Sequence, residues 1–238
     1  MNNLCDVIGG ANLYNGSSYS FTVDRFGAAN SAIYFNNGYL QVPPGVFFYG
    51  DFTVIAWINL KSFQSQSRII DFGSPDDNVI LKLGASSPYL MAQVYSTQTE
   101  SVIENSFSHS LQINQWYHIA FVLSGTNGFI YVDGIKVVAG TLFLPRNVQR
   151  TSNYIGKSNW PDANADAVYD DLKIYNETLA ATDILNEYIL TSKLKIKGKI
   201  FLYFIYLKFL NHYYITKPLD YILNDFNQSS SDGLLYLN

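Results

Sequence analysis

The sequence predicts an all-β fold: a two-sheet antiparallel β-sandwich closed by one short C-terminal helix. Three observations predict it. Short runs with an apolar residue at every second position recur from Ser31 to Tyr175, as half-buried strands require. Clusters of Asn, Pro, Asp and Gly separate the runs, and these residues favour tight turns. No helical periodicity intervenes before Leu179, so the strands must bury their apolar faces against one another.

Taken in order, the expected strands begin with Ser31–Phe35 and Tyr39–Val42, joined by the turn Asn36-Asn37-Gly38. Pro43-Pro44-Gly45 and Tyr49-Gly50-Asp51 then lead into Phe52–Leu60, an almost wholly apolar run. Arg68–Phe72, Val79–Leu83, Leu90–Tyr95 and Ser101–Glu104 follow, and then Trp116–Ser124. Thr126-Asn127-Gly128 opens Phe129–Val132, which Asp133-Gly134 ties to Ile135–Thr141 in the clearest hairpin of the chain. Asn153–Ile155 and Val168–Tyr175 complete the set, and the sandwich is expected to run from about Tyr19 to Leu190. The last strand alternates strictly, with Val168, Asp170, Leu172 and Ile174 on one face and Tyr169, Asp171, Lys173 and Tyr175 on the other. Apolar periodicity from Leu179 to Leu190 predicts the helix. Its N-terminus has Ala180 where a Ser or Thr cap would contribute about 1 kcal/mol, partly offset by Asp183 in the first turn.

The 238 residues are 48% hydrophobic and 14% charged, the balance of a well-cored globular chain. Sixteen Phe, nineteen Tyr and three Trp suit a broad sandwich core. A net charge of −4 argues against a nucleic-acid partner, which would require a basic face. Cys5 is the single cysteine, so neither an intrachain disulfide nor a thiolate zinc site can form. No signal peptide is visible at the N-terminus. Sequons at Asn15, Asn176 and Asn227 fit an extracellular or cell-surface setting within a larger protein.

Composition divides the chain into residues 1–192 and 193–238. The first part carries nine Lys and Arg against sixteen Asp and Glu, a net −7, and the second six Lys against three Asp, a net +3. The tail has no Ala, Val, Arg or Glu, and its apolar run Ile200–Leu210 is interrupted by Lys208 and too short for a membrane span. Three readings of the tail stay open: a membrane-surface segment, an element docked on the domain, or a composition set by AT-rich codons at a mistaken gene boundary.

Three separated pieces of the sequence, in matching order, carry a resemblance. They are Asp24-Arg25-Phe26-Gly27-Ala28-Ala29-Asn30-Ser31-Ala32-Ile33-Tyr34-Phe35, then Gln115-Trp116-Tyr117-His118-Ile119-Ala120, then Ala167 to Leu179 with its helix. Together they resemble laminin-G-like domains of the concanavalin A-like lectin/glucanase superfamily, which implies a jelly-roll sandwich. That superfamily holds binders, enzymes and spacers, so the fold alone assigns no activity.

Candidate chemistry is therefore read from the side chains. The four glutamates are Glu100, Glu104, Glu177 and Glu187. Glu100 and Glu104 would stand ~13 Å apart on one strand, beyond the roughly 5–9.5 Å separations used in glycoside hydrolysis, so a glycoside hydrolase is a remote alternative. Ile155-Gly156-Lys157-Ser158 mimics the end of a phosphate loop, but Thr151 stands where its first glycine belongs. His109, His118 and His212 are scattered, and His118 reads as a sheet-face residue. Trp57 and Trp116 alternate with apolar strand residues and are expected in the core.

Trp160 stands in the polar loop Lys157-Ser158-Asn159-Trp160-Pro161-Asp162, beside Asn159, Asp162 and Asn164. A flat apolar ring with polar neighbours suits a sugar, and the alternative is a Trp lid over the sandwich edge. Asp162, Asn164 and Asp166 have the acidic spacing of half a calcium loop, but an EF-hand is excluded because Ala167 and Lys173 replace its Gly and Glu. The superfamily resemblance implies a structural calcium ion at Asp170, with backbone carbonyls near Asn36–Gly38 as partners and Asp166 as the fallback ligand. The expected function is a non-catalytic binding module for a glycan or an extracellular protein, with a structural spacer domain as the alternative.

Overall fold

The computed structural model describes residues 4–5, 10–74, 76–97, 99–104 and 110–192. The tail 193–238, His109, His212 and the Asn227 sequon lie outside the described residues. Fourteen strands and one helix follow in chain order: β1 Tyr14–Thr22, β2 Ala32–Val42, β3 Gly45–Val46, β4 Phe52–Leu60, β5 Arg68–Ser74, β6 Asp77–Leu83, β7 Leu90–Ser96, β8 Thr99–Glu104, β9 Trp116–Ser124, β10 Asn127–Val132, β11 Ile135–Thr141, β12 Gln149–Arg150, β13 Ser152–Ile155, β14 Ala165–Tyr175 and α1 Ala181–Ser192.

The pairing is antiparallel throughout, as expected. Hydrogen bonds run along one path, β11-β10-β9-β4-β14-β2-β13-β5-β6-β7-β8, with β1 on β2 and a separate β3–β12 pair. The path is continuous because β2 is long enough to serve two partners: Ile33–Gly38 pair with β14, and Leu40–Val42 pair with β13. The β13 and β14 strands thus lie end to end along β2, and the chain between them, residues 156–164, leaves the strand line as a loop. The two ends of the path meet where the Phe143 N–H donates to the Ser101 hydroxyl (2.6 Å).

One core cluster takes the inward residues of ten strands, among them Phe35, Leu40, Ile58, Phe72, Leu81, Val94, Phe121, Ile130 and Tyr169. All nine residues of β4 are buried. Its inward set Phe52, Val54, Ala56, Ile58 and Leu60 enters that core, while Ile55 on the outer face joins Ala120, Val122 and Tyr131 beneath Ile184 of α1. A strand covered on both faces explains why this run reads as continuously apolar.

Several expectations change here. The strict alternation of the last strand breaks at a bulge after Asp170, where Asp171 takes φ +46°. Val168 and Asp170 face outward with Lys173 and Tyr175, opposite Asn59, Trp57, Ile55 and Thr53 on the outer face of β4; Tyr169 belongs to the core and Leu172 packs on it. Trp57 is buried, but on the outer face, where its indole stacks on Tyr188 of α1 and its N–H donates to the Thr191 hydroxyl (2.9 Å). Trp116 is only half-buried and lines a groove of about 390 Å³ with Tyr34, Lys61 and Val168, because its side of β9 lies beyond the reach of the helix. A strand absent from the sequence reading, β1, is almost entirely exposed and has shifted register at both Tyr14/Ser17 and Ser17/Tyr19. The helix starts two residues later than expected. Asp183 accepts a hydrogen bond from the Ala180 N–H (3.2 Å), so one half of a capping box replaces the missing Ser or Thr.

Candidate functional site

A polar groove of about 280 Å³ lies on the outer face of β13, β5, β6 and β7, bordered by the 156–164 loop. Register dictates its floor: Ser152 lies opposite Gly73, Gly73 opposite Asn78, and Asn78 opposite Tyr95. Residues directly opposite share a face, so these four form one row across the sheet. Ser74, Thr151, Asn159 and Trp160 complete the lining.

In the next row of the same face, covered by the loop, sits Asp71, wholly buried. Its Oδ1 accepts from Asn78 Nδ2 (2.8 Å) and Asn159 Nδ2 (2.9 Å), and its Oδ2 accepts from the Asn159 backbone N–H (3.0 Å) and Arg68 Nε (3.3 Å). Burial pushes the Asp71 carboxyl upward, while these donors and the Arg68 charge oppose the shift. Four donors with no competing acceptor make this carboxylate the anchor of the loop.

The loop owes its path to two glycines. Gly156 takes φ +82°, and a Cβ there would lie 2.8 Å from the Gly38 carbonyl oxygen, so the chain turns out of the strand line only with glycine. At Gly73 a Cβ would run into the Nδ2 atoms of Asn78 and Asn159, the latter at 2.7 Å. The missing side chain is what lets both amides reach Asp71.

Of the four ligand-binding residues read from the sequence, the structure places two in the groove. Trp160 is 40% exposed, edge-on to Tyr95 (centroids 5.8 Å apart) and above the Arg68 guanidinium. Asn159 lines the groove, with its Nδ2 also donating to the Ser152 carbonyl (2.9 Å). Asp162 turns inward instead, accepting from Arg68 (2.8 Å) and the Ser158 hydroxyl (2.9 Å). Asn164 bonds the Asn37 carbonyl (3.2 Å) and so fastens the loop to β2. The sequence reading missed Asn78, Tyr95, Ser74, Thr151 and Ser152, which come from other strands. Asn78 and Tyr95 did carry a signal, being polar or amphipathic at outward positions of otherwise apolar strands.

The two metal candidates sit elsewhere. The Asp170 carboxylate is ion-paired with Arg25, whose second amino group bonds Asp171 (2.6 Å). Asp170 lies opposite Trp57 on β4, whereas Asn36 and Gly38 lie opposite Asp166 and Ala165. The expected carbonyl partners are therefore out of its reach. Burial and then Asp171 push the Asp170 carboxyl up, and Arg25 holds it down. Asp166 accepts from the Tyr34 hydroxyl (3.0 Å) and from Ser62. Among the described residues no three His, Cys, Asp or Glu side chains gather as a metal site.

With this geometry described, comparison with known proteins gives a family. A laminin G family model, described as the concanavalin A-like lectin/glucanases superfamily, matches residues 35–185. The chain belongs to that superfamily. No curated protein matches it significantly by sequence. Among solved structures it is similar to domain 4 of AbnA, an extracellular GH43 arabinanase of Geobacillus stearothermophilus solved with arabinotriose (TM-score 0.63, 17% identity, 78% of this chain and 92% of that one). It is also similar to the binding domain of Paraclostridial Mosquitocidal Protein 1 (TM-score 0.64, 16% identity, 79% of this chain and 49% of that one). The botulinum neurotoxin serotype G binding domain gives a TM-score of 0.60 at 17% identity, over 79% of this chain and 49% of that one. The chain thus spans about half the length of the two toxin domains, and identities this low establish a shared fold.

Proposed function

We propose that residues 1–192 form a non-catalytic carbohydrate-binding module of a larger extracellular or surface protein, taking glycan in the Trp160 groove. The observation that carries this is a half-exposed indole standing beside Tyr95 over a floor of fixed amides and hydroxyls. Sugar rings offer apolar C–H faces for the ring and hydroxyls for the amides. The arabinanase domain, crystallised with arabinotriose, is a covered match of similar length and supports the same class of ligand. Among the described residues the groove lining holds no carboxylate, and neighbouring Asp71 is already engaged by four donors, which supports a binder over a hydrolase. In this reading the path of strands works as two layers of a jelly roll hinged along β2, with the groove on the outer face of the β13-β5-β6-β7 layer.

One stacked ring contributes on the order of 1–2 kcal/mol, so affinity near millimolar is expected for a single module. Titrating arabinotriose and other neutral oligosaccharides, read by indole fluorescence and amide shifts, tests it. Shifts confined to 73–78, 95 and 151–160 that Trp160→Ala abolishes support the site. Shifts at the Trp116 groove instead would keep the module a binder and move its site. No response to any glycan would leave the spacer reading.

A further inference from the structure

Given a glycan site in this groove, we infer that it selects uncharged sugars and rejects acidic ones, and that Asp71 sets this selectivity by orienting Asn78 and Asn159. A carboxylate only accepts hydrogen bonds, so each amide facing it must present its NH2 group. Asn78 gives Nδ2 to Asp71, and Asn159 gives Nδ2 to both Asp71 and the Ser152 carbonyl. That fixes which way the amides point, and it leaves each Oδ1 as the atom offered to whatever lies in the groove these residues line. The two amides thereby offer acceptors, matched to hydroxyl donors and mismatched to a carboxylate or sulfate, while the lining hydroxyls of Ser74, Thr151 and Ser152 can serve either kind of sugar.

Charge acts in the same direction. Among the described residues no Lys, Arg or His lines the groove. Arg68, beneath Trp160, is committed to Asp71, Asp162 and the Gln66 carbonyl. Arg146 is held by both oxygens of the buried Asp77. Glu100 stands opposite Tyr95 at the open end of the row, adding a negative charge there. Lys82 lies among Asp71, Asp162, Glu100 and Arg68, and Lys157 of the bordering loop rests over the Tyr39 and Tyr154 rings, so neither lines the groove. An acidic sugar there would face the amide carbonyl oxygens.

The test uses the full chain and matched pairs: galactobiose against digalacturonic acid, and N-acetyllactosamine against its 3′-sialylated form, measured at two salt concentrations. Uncharged members should bind at least about tenfold more tightly than their acidic partners. Equal binding within the pairs, or preference for the acidic members, overturns the selectivity while leaving the glycan site in place. Silence of every sugar, charged or not, overturns the site and the selectivity with it. Two variants separate the causes. Gly73→Ala displaces both amides without touching the core and should abolish the preference together with most of the affinity. Thr151→Lys, at an exposed groove position, adds a cation while leaving Asp71 and its partners intact. It should raise binding of the acidic members and narrow the ratio, and an unchanged ratio would overturn the role of charge; an unchanged ratio in folded Gly73→Ala would overturn the assignment to Asp71.

Discussion

Two outer faces of the sheet are covered by added chain, and the two coverings follow opposite chemistry. On β4 and β9 the helix α1 seals the surface with Ile184 over Ile55, Ala120 and Val122, and with Tyr188 stacked on Trp57. Its C-terminal end is latched by Arg25 to the Thr191 carbonyl (2.9 Å) and by Trp57 to the Thr191 hydroxyl. On β5, β6 and β7 the 156–164 loop is held instead by discrete polar contacts: Asn159 on the buried Asp71 carboxylate, Asp162 on Arg68, and Asn164 on the Asn37 carbonyl. An apolar helix face excludes water over a broad area without directional demands. A loop has no repeating backbone bonds of its own, so its polar groups must find partners one by one, and it covers less. The second arrangement leaves a groove with fixed polar atoms. The first leaves none beside the helix, and even buries a histidine.

The largest effect should come from the loop side. Asp71→Ala removes the common acceptor and leaves Arg68 with one carboxylate fewer in a buried setting; a loss of about 3–5 kcal/mol is expected in denaturant unfolding. A cost below about 1 kcal/mol would mean the loop is held by packing, like the helix, and would erase the contrast.

Next in size is a pH effect from the helix side. His118 is fully buried against Trp57 and Tyr188, and neither ring nitrogen has a hydrogen-bond partner among the described residues. Burial, then Lys173 and Arg25, push its pKa down to about 4, with Asp171 opposing. The unfolded chain takes up this proton near pH 6.5, before the folded one does. His118 therefore favours folding fully above that pH, and about 2–3 kcal/mol is lost as pH falls from 6.5 toward 4. The upward-shifted Asp71 and Asp170 act with the opposite sign. The difference between wild type and His118→Gln, taken at each pH, isolates the histidine; parallel curves for the two would show that it is not buried neutral beneath the helix.

Smaller effects sharpen the helix side. Thr191→Val removes the acceptor of the Trp57 N–H while keeping the shape, and should cost about 1 kcal/mol in thermal or chemical unfolding. Asp183→Ala deletes the half capping box and should cost about 0.5–1 kcal/mol. If Thr191→Val proves neutral, stacking and apolar contact alone hold the helix end.

Strands with strong alternation and the hairpin at Asp133-Gly134 were legible in the sequence because both signals are local. Both turn residues there have positive φ, as Asp-Gly anticipates. The first strand was not legible, since Tyr14–Thr22 is polar, exposed and bulged, and leans on β2 for its pairing. Trp160 and Asn159 were legible as a candidate site because a large ring in a polar loop is unusual wherever the loop lies. Asp162 and Asn164 look equivalent to them in sequence, yet Arg68 and Asn37 claim their side chains.

By itself the sequence determined the strand runs, the turns, the closing helix and the superfamily, because periodicity and turn chemistry act over a few residues. Only the tertiary structure decided which polar residues line the groove and which hold the frame. Asp71 reads as one charge in an apolar strand until Asn78 from the next strand and Asn159 from 88 residues away converge on it. Asp170 reads in sequence as a candidate metal ligand, and only the structure pairs it with Arg25, 145 residues away. A buried carboxylate takes its role from the donors that surround it, and in a sandwich those donors come from chain distant in sequence.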